Sequence, residues 1–286
     1  MKKFIRALAL AVVLVMAFGM TACTTYTKNG SVIQDVKFDV SYTEDGETKN
    51  INATLSLYKT FAPQTCDRVI ELVNSGFYNG TSLVLSKQQD YLVVGGYDFI
   101  DEDYVQKSYN GSALKGEFTS AGRESKLRVQ AGSLVMLRDF DTASGGAKYD
   151  TAKASFAIVL GETTTFDKDK FCVFGLMDSE SVTLLQQALI DNAMYDGKYM
   201  RVRYAGDRNE DGVLNTEGKF DYYYDGTDYF NLVNGEYEEM VRANETDPDY
   251  DKYQKITNYD SAQDIYVLPK TVFKVKTELC KGQNKK

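Results

Sequence analysis

The sequence has no histidine and no tryptophan. Without histidine, Ser-His-Asp and Cys-His catalysis are excluded, and so are the usual zinc sites. Cysteine is scarce: Cys23, Cys66, Cys172 and Cys280 stand alone in 286 residues. Spacing this wide makes no disulfide framework. Cys66, Cys172 and Cys280 read as small buried hydrophobes, with a single bridge as the alternative. Bases are fewer than acids, 33 against 41, for a formal net charge of −8. That balance argues against nucleic-acid binding.

Long apolar runs are also rare. Ala7 to Phe18 is one, preceded by Lys2, Lys3 and Arg6. It is too short for a spanning helix and reads as a signal peptide over residues 1–22. Met20-Thr21-Ala22-Cys23 closes it with small residues, as a lipobox does. The expectation is a lipid-modified Cys23; an ordinary signal peptide is the alternative. Acyl chains on Cys23 would hold the domain on a membrane surface. Cleavage removes three bases and no acid, taking the formal charge from −8 to −11. Residues 23–31 read as a tether, and 32–286 as the folded unit.

The folded unit is rich in strand patterns. Val36, Phe38, Val40 and Tyr42 alternate with polar residues, and Ile51, Ala53, Leu55 and Leu57 do the same. Asp45-Gly46 between them predicts a hairpin. Pro63 opens an amphipathic helix with Cys66, Val69, Ile70 and Val73 on one stripe, and Gly76 ends it. Strands are expected at Leu83–Leu85, Tyr91–Val94, Gly132–Met136, Ser155–Leu160, Phe171–Gly175 and Val272–Thr277. A second helix starts at Ser179 with Val182, Leu185 and Leu189 inward. Many short strands with two helices predict a mainly β fold, a closed antiparallel β-barrel capped at its ends.

Between that helix and the last strand lies an insert at about 191–264. From Gly206 to Asp264 it holds 16 acids and 5 bases, a net of −11. Eight tyrosines share the stretch. A disordered acidic segment is poor in aromatics, so this one reads as folded with an acidic face.

The helix, then Gly76-Phe77-Tyr78-Asn79-Gly80-Thr81, a strand and the pair Gly95-Gly96 resemble cyclophilin-type peptidyl-prolyl isomerases. Gly116-Glu117-Phe118 and Val173-Phe174-Gly175 extend the likeness. It covers about Val32 to Ile190 plus the final strand. The resemblance implies a cyclophilin-like barrel with an acidic insert before its last strand. Its partners would be proline-containing peptide segments or unfolded secreted proteins. Turning an X–Pro bond requires the amide to lose its resonance, and catalysis is tighter binding of the twisted form. The family holds the proline ring among aromatics and aims an arginine at the prolyl nitrogen. On that pattern Leu85 stands for the arginine, Val94 for the glutamine before the glycines, and Ala157 for the ring-binding phenylalanine. Phe171 stands for the histidine. Lys87 is the base near that strand, and lysine is a poor substitute for a planar guanidinium.

The expected peptide groove is Leu85, Tyr91, Leu92, Val94, Met136, Phe156 and Phe171. Three readings stay open: slow isomerisation through Lys87 or a backbone donor, a retired isomerase that binds peptide, and a closed core without a groove. A further alternative is a surface lipoprotein that binds a protein partner through the acidic insert.

Asp207, Asn209 and Asp211, followed by Gly212, resemble the first half of a calcium loop. Glu217 falls one residue early for its last ligand. Calcium is one expectation here and a surface turn the other; no other cofactor is expected. The localisation expected is extracytoplasmic, anchored to the membrane.

Overall fold

The computed structural model describes residues 26–28, 30–123, 126–141, 146–207, 215, 217–241, 244–258 and 265–280. Cys23, Asn209 and Asp211 lie outside these residues. The first strands are β1 (Tyr26–Lys28), β2 (Ser31–Glu44) and β3 (Glu47–Tyr58), followed by helix α1 (Pro63–Asn74). Next come β4 (Ser82–Ser86), β5 (Tyr91–Ile100), β6 (Asp103–Gln106), β7 (Ser133–Met136), and the short pair β8 (Phe140–Asp141) and β9 (Gly146–Ala147). β10 (Phe156–Val159) and β11 (Val173–Met177) lead to helix α2 (Ser179–Asp191). The insert contributes β12 (Met200–Tyr204), β13 (Phe220–Tyr224), β14 (Tyr229–Val233), β15 (Glu236–Glu239) and helix α3 (Tyr250–Asn258). β16 (Ile265–Val267) and β17 (Lys274–Leu279) close the chain's order.

The expected hairpin is β2–β3. Asp45 and Gly46 both take positive φ, 51° and 78°, as a tight two-residue turn requires. Val36, Phe38 and Val40 are buried while Lys37 is exposed, so the period of two becomes an inside and an outside. Tyr26–Lys28, expected in the tether, instead pairs with the start of β2. Gly30, at φ 76°, makes the turn between them.

The barrel runs β17–β2–β3–β11–β7–β10–β5–β4, and β4 pairs back to β17. These eight antiparallel strands enclose a core that includes Phe38, Leu55, Leu92, Met136, Phe156 and Phe174. Helix α1 adds Cys66, Val69, Leu72 and Val73 to it. Burying each side chain of that size stabilises by roughly 1.5–3 kcal/mol. Ala62 offers no capping oxygen to α1. Glu117 does so from a distant loop, accepting the N–H groups of Gln64 at 3.1 Å and Thr65 at 2.8 Å. This gives Gly116-Glu117-Phe118 a structural role. α2 is capped locally, the Asp178 carboxylate accepting from Ser181 N–H at 2.8 Å. Cys66 and Cys172 are free and buried. Burial pushes both thiols up, Cys172 to about 12, so they pack as apolar side chains.

β4 shares one edge between two partners. β17 takes it at Ser82, and β16 takes it at Leu85 and Ser86. From β16 the sheet continues through β12, β13, β14 and β15. The described part of the insert is therefore an extension of the barrel sheet. One face of it packs Tyr229 against Tyr253 of α3, centroids 5.7 Å apart. No helix among the described residues is long and apolar enough to cross a membrane.

Candidate functional site

The site is built around the glycine pair that ends the inner half of β5. Gly95 has φ 72°, and a Cβ there would lie 2.7 Å from the Tyr78 ring. Tyr78 is fully buried, and its hydroxyl donates to the Ala154 carbonyl at 2.8 Å. Asn79 accepts the Thr277 N–H at 2.7 Å and Gly80 donates to the Val275 carbonyl, which ties this turn to β17. The motif thus sets how closely the turn approaches β5. Ser155 completes the arrangement by donating its hydroxyl to the Gly95 carbonyl at 3.2 Å.

Outside the barrel, β4, β5, β7, β10 and β11 carry a second apolar cluster. Val84, Tyr91, Val93, Ala157 and Val173 belong to it. The groove expected from sequence is therefore divided by the barrel wall. Tyr91 and Phe171 lie together in this outer cluster. Leu85, Leu92, Val94, Met136 and Phe156 point inward and are at most 2% exposed. They fill the barrel and cannot line a surface groove. The sides alternate strictly along β4 and β5: Leu83, Leu85, Leu92 and Val94 face the core, and Val84, Tyr91, Val93 and Tyr97 the outer cluster. Val84, not Leu85, is the outward residue of β4.

The positions that the resemblance assigns to the proline ring are filled from within. Phe166 packs against Tyr91 at 4.9 Å and against Phe171 at 5.2 Å between centroids. Tyr91, Ala157, Phe166 and Phe171 are all at most 5% exposed. Tyr266 and Leu268, at the root of the insert, join the same cluster, with Tyr266 against Tyr97 at 5.4 Å. Lys87 does not reach this face. Its ammonium donates to the Tyr229 hydroxyl at 3.0 Å and lies over the rings of Tyr224 and Tyr229.

Beside this closed cluster is an open cleft of about 310 Å³. Val93, Gly96, Tyr97, Arg138, Ser155 and Tyr266 line it, with Gln106, Lys107 and Lys153 among others. Sequence reasoning missed Arg138. It leaves the end of β7 two residues after Met136 and is 6% exposed. Its guanidinium lies 4.6 Å from the Phe118 and Phe171 centroids and 5.2 Å from Tyr149, and it donates to the Lys170 carbonyl. Burial pulls its pKa down, to about 10, with Tyr149 acting in opposition. It is a cation at neutral pH, held in a fixed place by stacking. No local sequence signal marks it, since β7 reaches the glycine pair of β5 only through β10. The cleft thus offers an apolar floor, hydroxyls and a guanidinium, and its polar groups suit a peptide backbone.

Of the expected calcium ligands, Asp207 and Glu217 are described. Asp207 accepts from the Tyr204 hydroxyl at 2.6 Å and the Lys255 ammonium at 3.1 Å. Burial alone would raise its carboxyl, but those bonds and the Lys255 charge hold it below the ordinary value. Among the described residues no cluster of three or more metal-ligating side chains occurs.

Two solved structures are similar to the chain. One is a cyclophilin type peptidyl-prolyl cis-trans isomerase of Cryptosporidium parvum, 17% identical, with a TM-score of 0.39. The match covers 54% of this chain and 84% of that one. The other is the same protein in the presence of the dipeptide Ala-Pro, also 17% identical, over 54% and 85%, with a TM-score of 0.38. No curated protein matches the chain. The family model described as cyclophilin type peptidyl-prolyl cis-trans isomerase/CLD matches residues 43–197, more than half of the chain. The barrel order and that match make this protein a member of the cyclophilin-type peptidyl-prolyl isomerase family.

Proposed function

We propose that this protein binds extended, proline-containing segments of extracytoplasmic proteins and turns their prolyl bonds weakly or not at all. One observation carries this reading. The ring-binding positions are filled by Phe166, while the neighbouring cleft over Gly96 and Ser155 stays open. A twisted amide needs a donor at its nitrogen that is stronger in the transition state than in the ground state. Val84, Val93 and Ala157, on the barrel's outer wall, have no side-chain donor to offer. Arg138 is the guanidinium at hand, and its position is set by three rings and a carbonyl.

The residue pattern up to Cys23 supports placing this activity at a membrane surface through a lipid anchor. There the protein would assist folding by holding unfolded chains. The test is a titration of labelled protein with a blocked Ala-Pro peptide, followed by amide NMR. Shifts at Gly96, Ser155 and Gln106 support the reading. Shifts confined to β13–β15 would instead place recognition in the acidic insert.

A further inference from the structure

The β5–β6 hairpin leaves one backbone edge open beside the cleft. Its turn is Asp101-Glu102, with φ of 50° and 63°. Ile100 faces Asp103, Asp98 faces Val105, and Lys107 N–H donates to the Gly96 carbonyl at 2.8 Å. In an antiparallel pair, hydrogen-bonded and non-bonded positions alternate. The Ile100·Asp103, Asp98·Val105 and Gly96·Lys107 positions are thus the bonded ones. Tyr104 and Gln106 must then turn their N–H and C=O away from β5, toward the free edge.

At Tyr104 both groups are taken. Its N–H donates to Asp103 Oδ1 at 2.8 Å, and its carbonyl accepts from Arg203 Nη1. At Gln106 neither backbone group meets a partner among the described residues, and the residue is exposed. Gln106 is also where two cavities meet. The 310 Å³ cleft and a smaller one of about 140 Å³ share Tyr97, Gln106 and Ser108. The charges around them are mostly positive. Lys107, Arg138 and Lys153 line the first, Arg203 and Lys219 the second, and Asp139 is the acid. Asp98 offsets Lys107, Asp221 and Asp103 offset Arg203, and Asp103 also stands 4.0 Å from Lys219. The excess of cations therefore lies at the Arg138 and Lys153 end, on a chain of net charge −8.

We propose that an acidic, extended X–Pro segment adds as a strand to the β6 edge at Gln106. This rests on the peptide-binding reading above and names the substrate class and its anchor. Residue X exchanges two backbone hydrogen bonds with Gln106. X cannot be proline, because proline has no N–H to give. The following residue turns its nitrogen away from the edge, so proline fits there. A residue before proline already prefers the extended region, which lowers the ordering cost of pairing. Carboxylates flanking X meet Lys153 and Arg138 at one end and Lys219 at the other.

The test uses the full-length protein and two blocked heptapeptides with a central Glu-Pro or Lys-Pro step, flanked by glutamates or lysines. The acidic peptide should bind at least about tenfold tighter, and salt should weaken it. Gln106→Pro removes the outward N–H without touching a ladder bond, so thermal stability should hold while affinity falls about tenfold. N-methylation of X in the peptide should cost as much against the unaltered protein, and it covers the case in which Gln106→Pro fails to fold. Equal binding of the N-methylated peptide, or of the lysine peptide, would overturn the edge proposal and leave peptide binding standing. No binding of any proline peptide would overturn both.

Discussion

Glu117 accepts the backbone N–H of Thr65 at 2.8 Å across 52 residues of chain, and its side chain is almost wholly buried. A loop carboxylate therefore does the work of the missing N-cap of α1. Glu117→Ala would leave two first-turn N–H groups without acceptors in a buried place. The expected loss is about 2 kcal/mol, with Glu117→Gln losing roughly half of that. Urea denaturation measures it. An unchanged midpoint for Glu117→Ala would mean that the cap carries no energy.

Replacing Leu85 by arginine is the change the resemblance suggests for restoring turnover. The structure predicts the opposite. Leu85 is fully buried inside the barrel beside Leu92 and Phe156. Leu85→Arg would bury a charge without a partner and cost at least about 3 kcal/mol. Soluble yield and circular dichroism check this. A folded Leu85→Arg protein with prolyl isomerase activity would show that Leu85 faces the site.

The root of the insert is expected to loosen in acid. Arg203 is nearly buried and donates to Asp221 at 2.6 and 2.9 Å and to Asp103 at 2.6 Å, joining β12 to β13 and β6. Burial alone would raise the Asp103 carboxyl. The Arg203 bond and charge, the Tyr104 N–H and Lys219 together hold it below its ordinary 3.8. A depressed carboxyl contributes stability that is fully present above its unfolded value and is lost as pH falls through the folded one. Hydrogen exchange at β6 and β12 should therefore accelerate below about pH 4. In Asp103→Asn that acid step should shrink. An Asp103→Asn protein with the same acid step would assign it to other groups.

Burial decides how much of this was legible from the residues. β2 and β3 each have one wet face, so Val36, Phe38, Leu55 and Leu57 announce the inside by alternation, and Asp45-Gly46 announces the turn. All five residues of β4, and the first seven of β5, are buried. With both faces apolar, a period of two says nothing about which face is in. The alternation along β4 puts Leu83 and Leu85 inside and Val84 outside, a choice that its apolar residues do not reveal. Arg138 and Gln106 had no local pattern to mark them. Their importance comes from strands and loops distant in sequence that meet at one cleft. Lys87, a lone base near the expected site, is turned away by two tyrosines more than 130 residues on, which no local window contains.

The central claim is that a cyclophilin barrel here holds prolyl segments without efficiently turning them. NMR exchange between the cis and trans forms of a blocked Ala-Pro peptide tests it most directly, with the full-length protein present in a concentration series. The expected result is binding shifts with exchange at the uncatalysed rate, tens to hundreds of seconds. Exchange that accelerates in proportion to protein concentration would contradict the claim. Its loss in Arg138→Lys would then give the donor's role to Arg138.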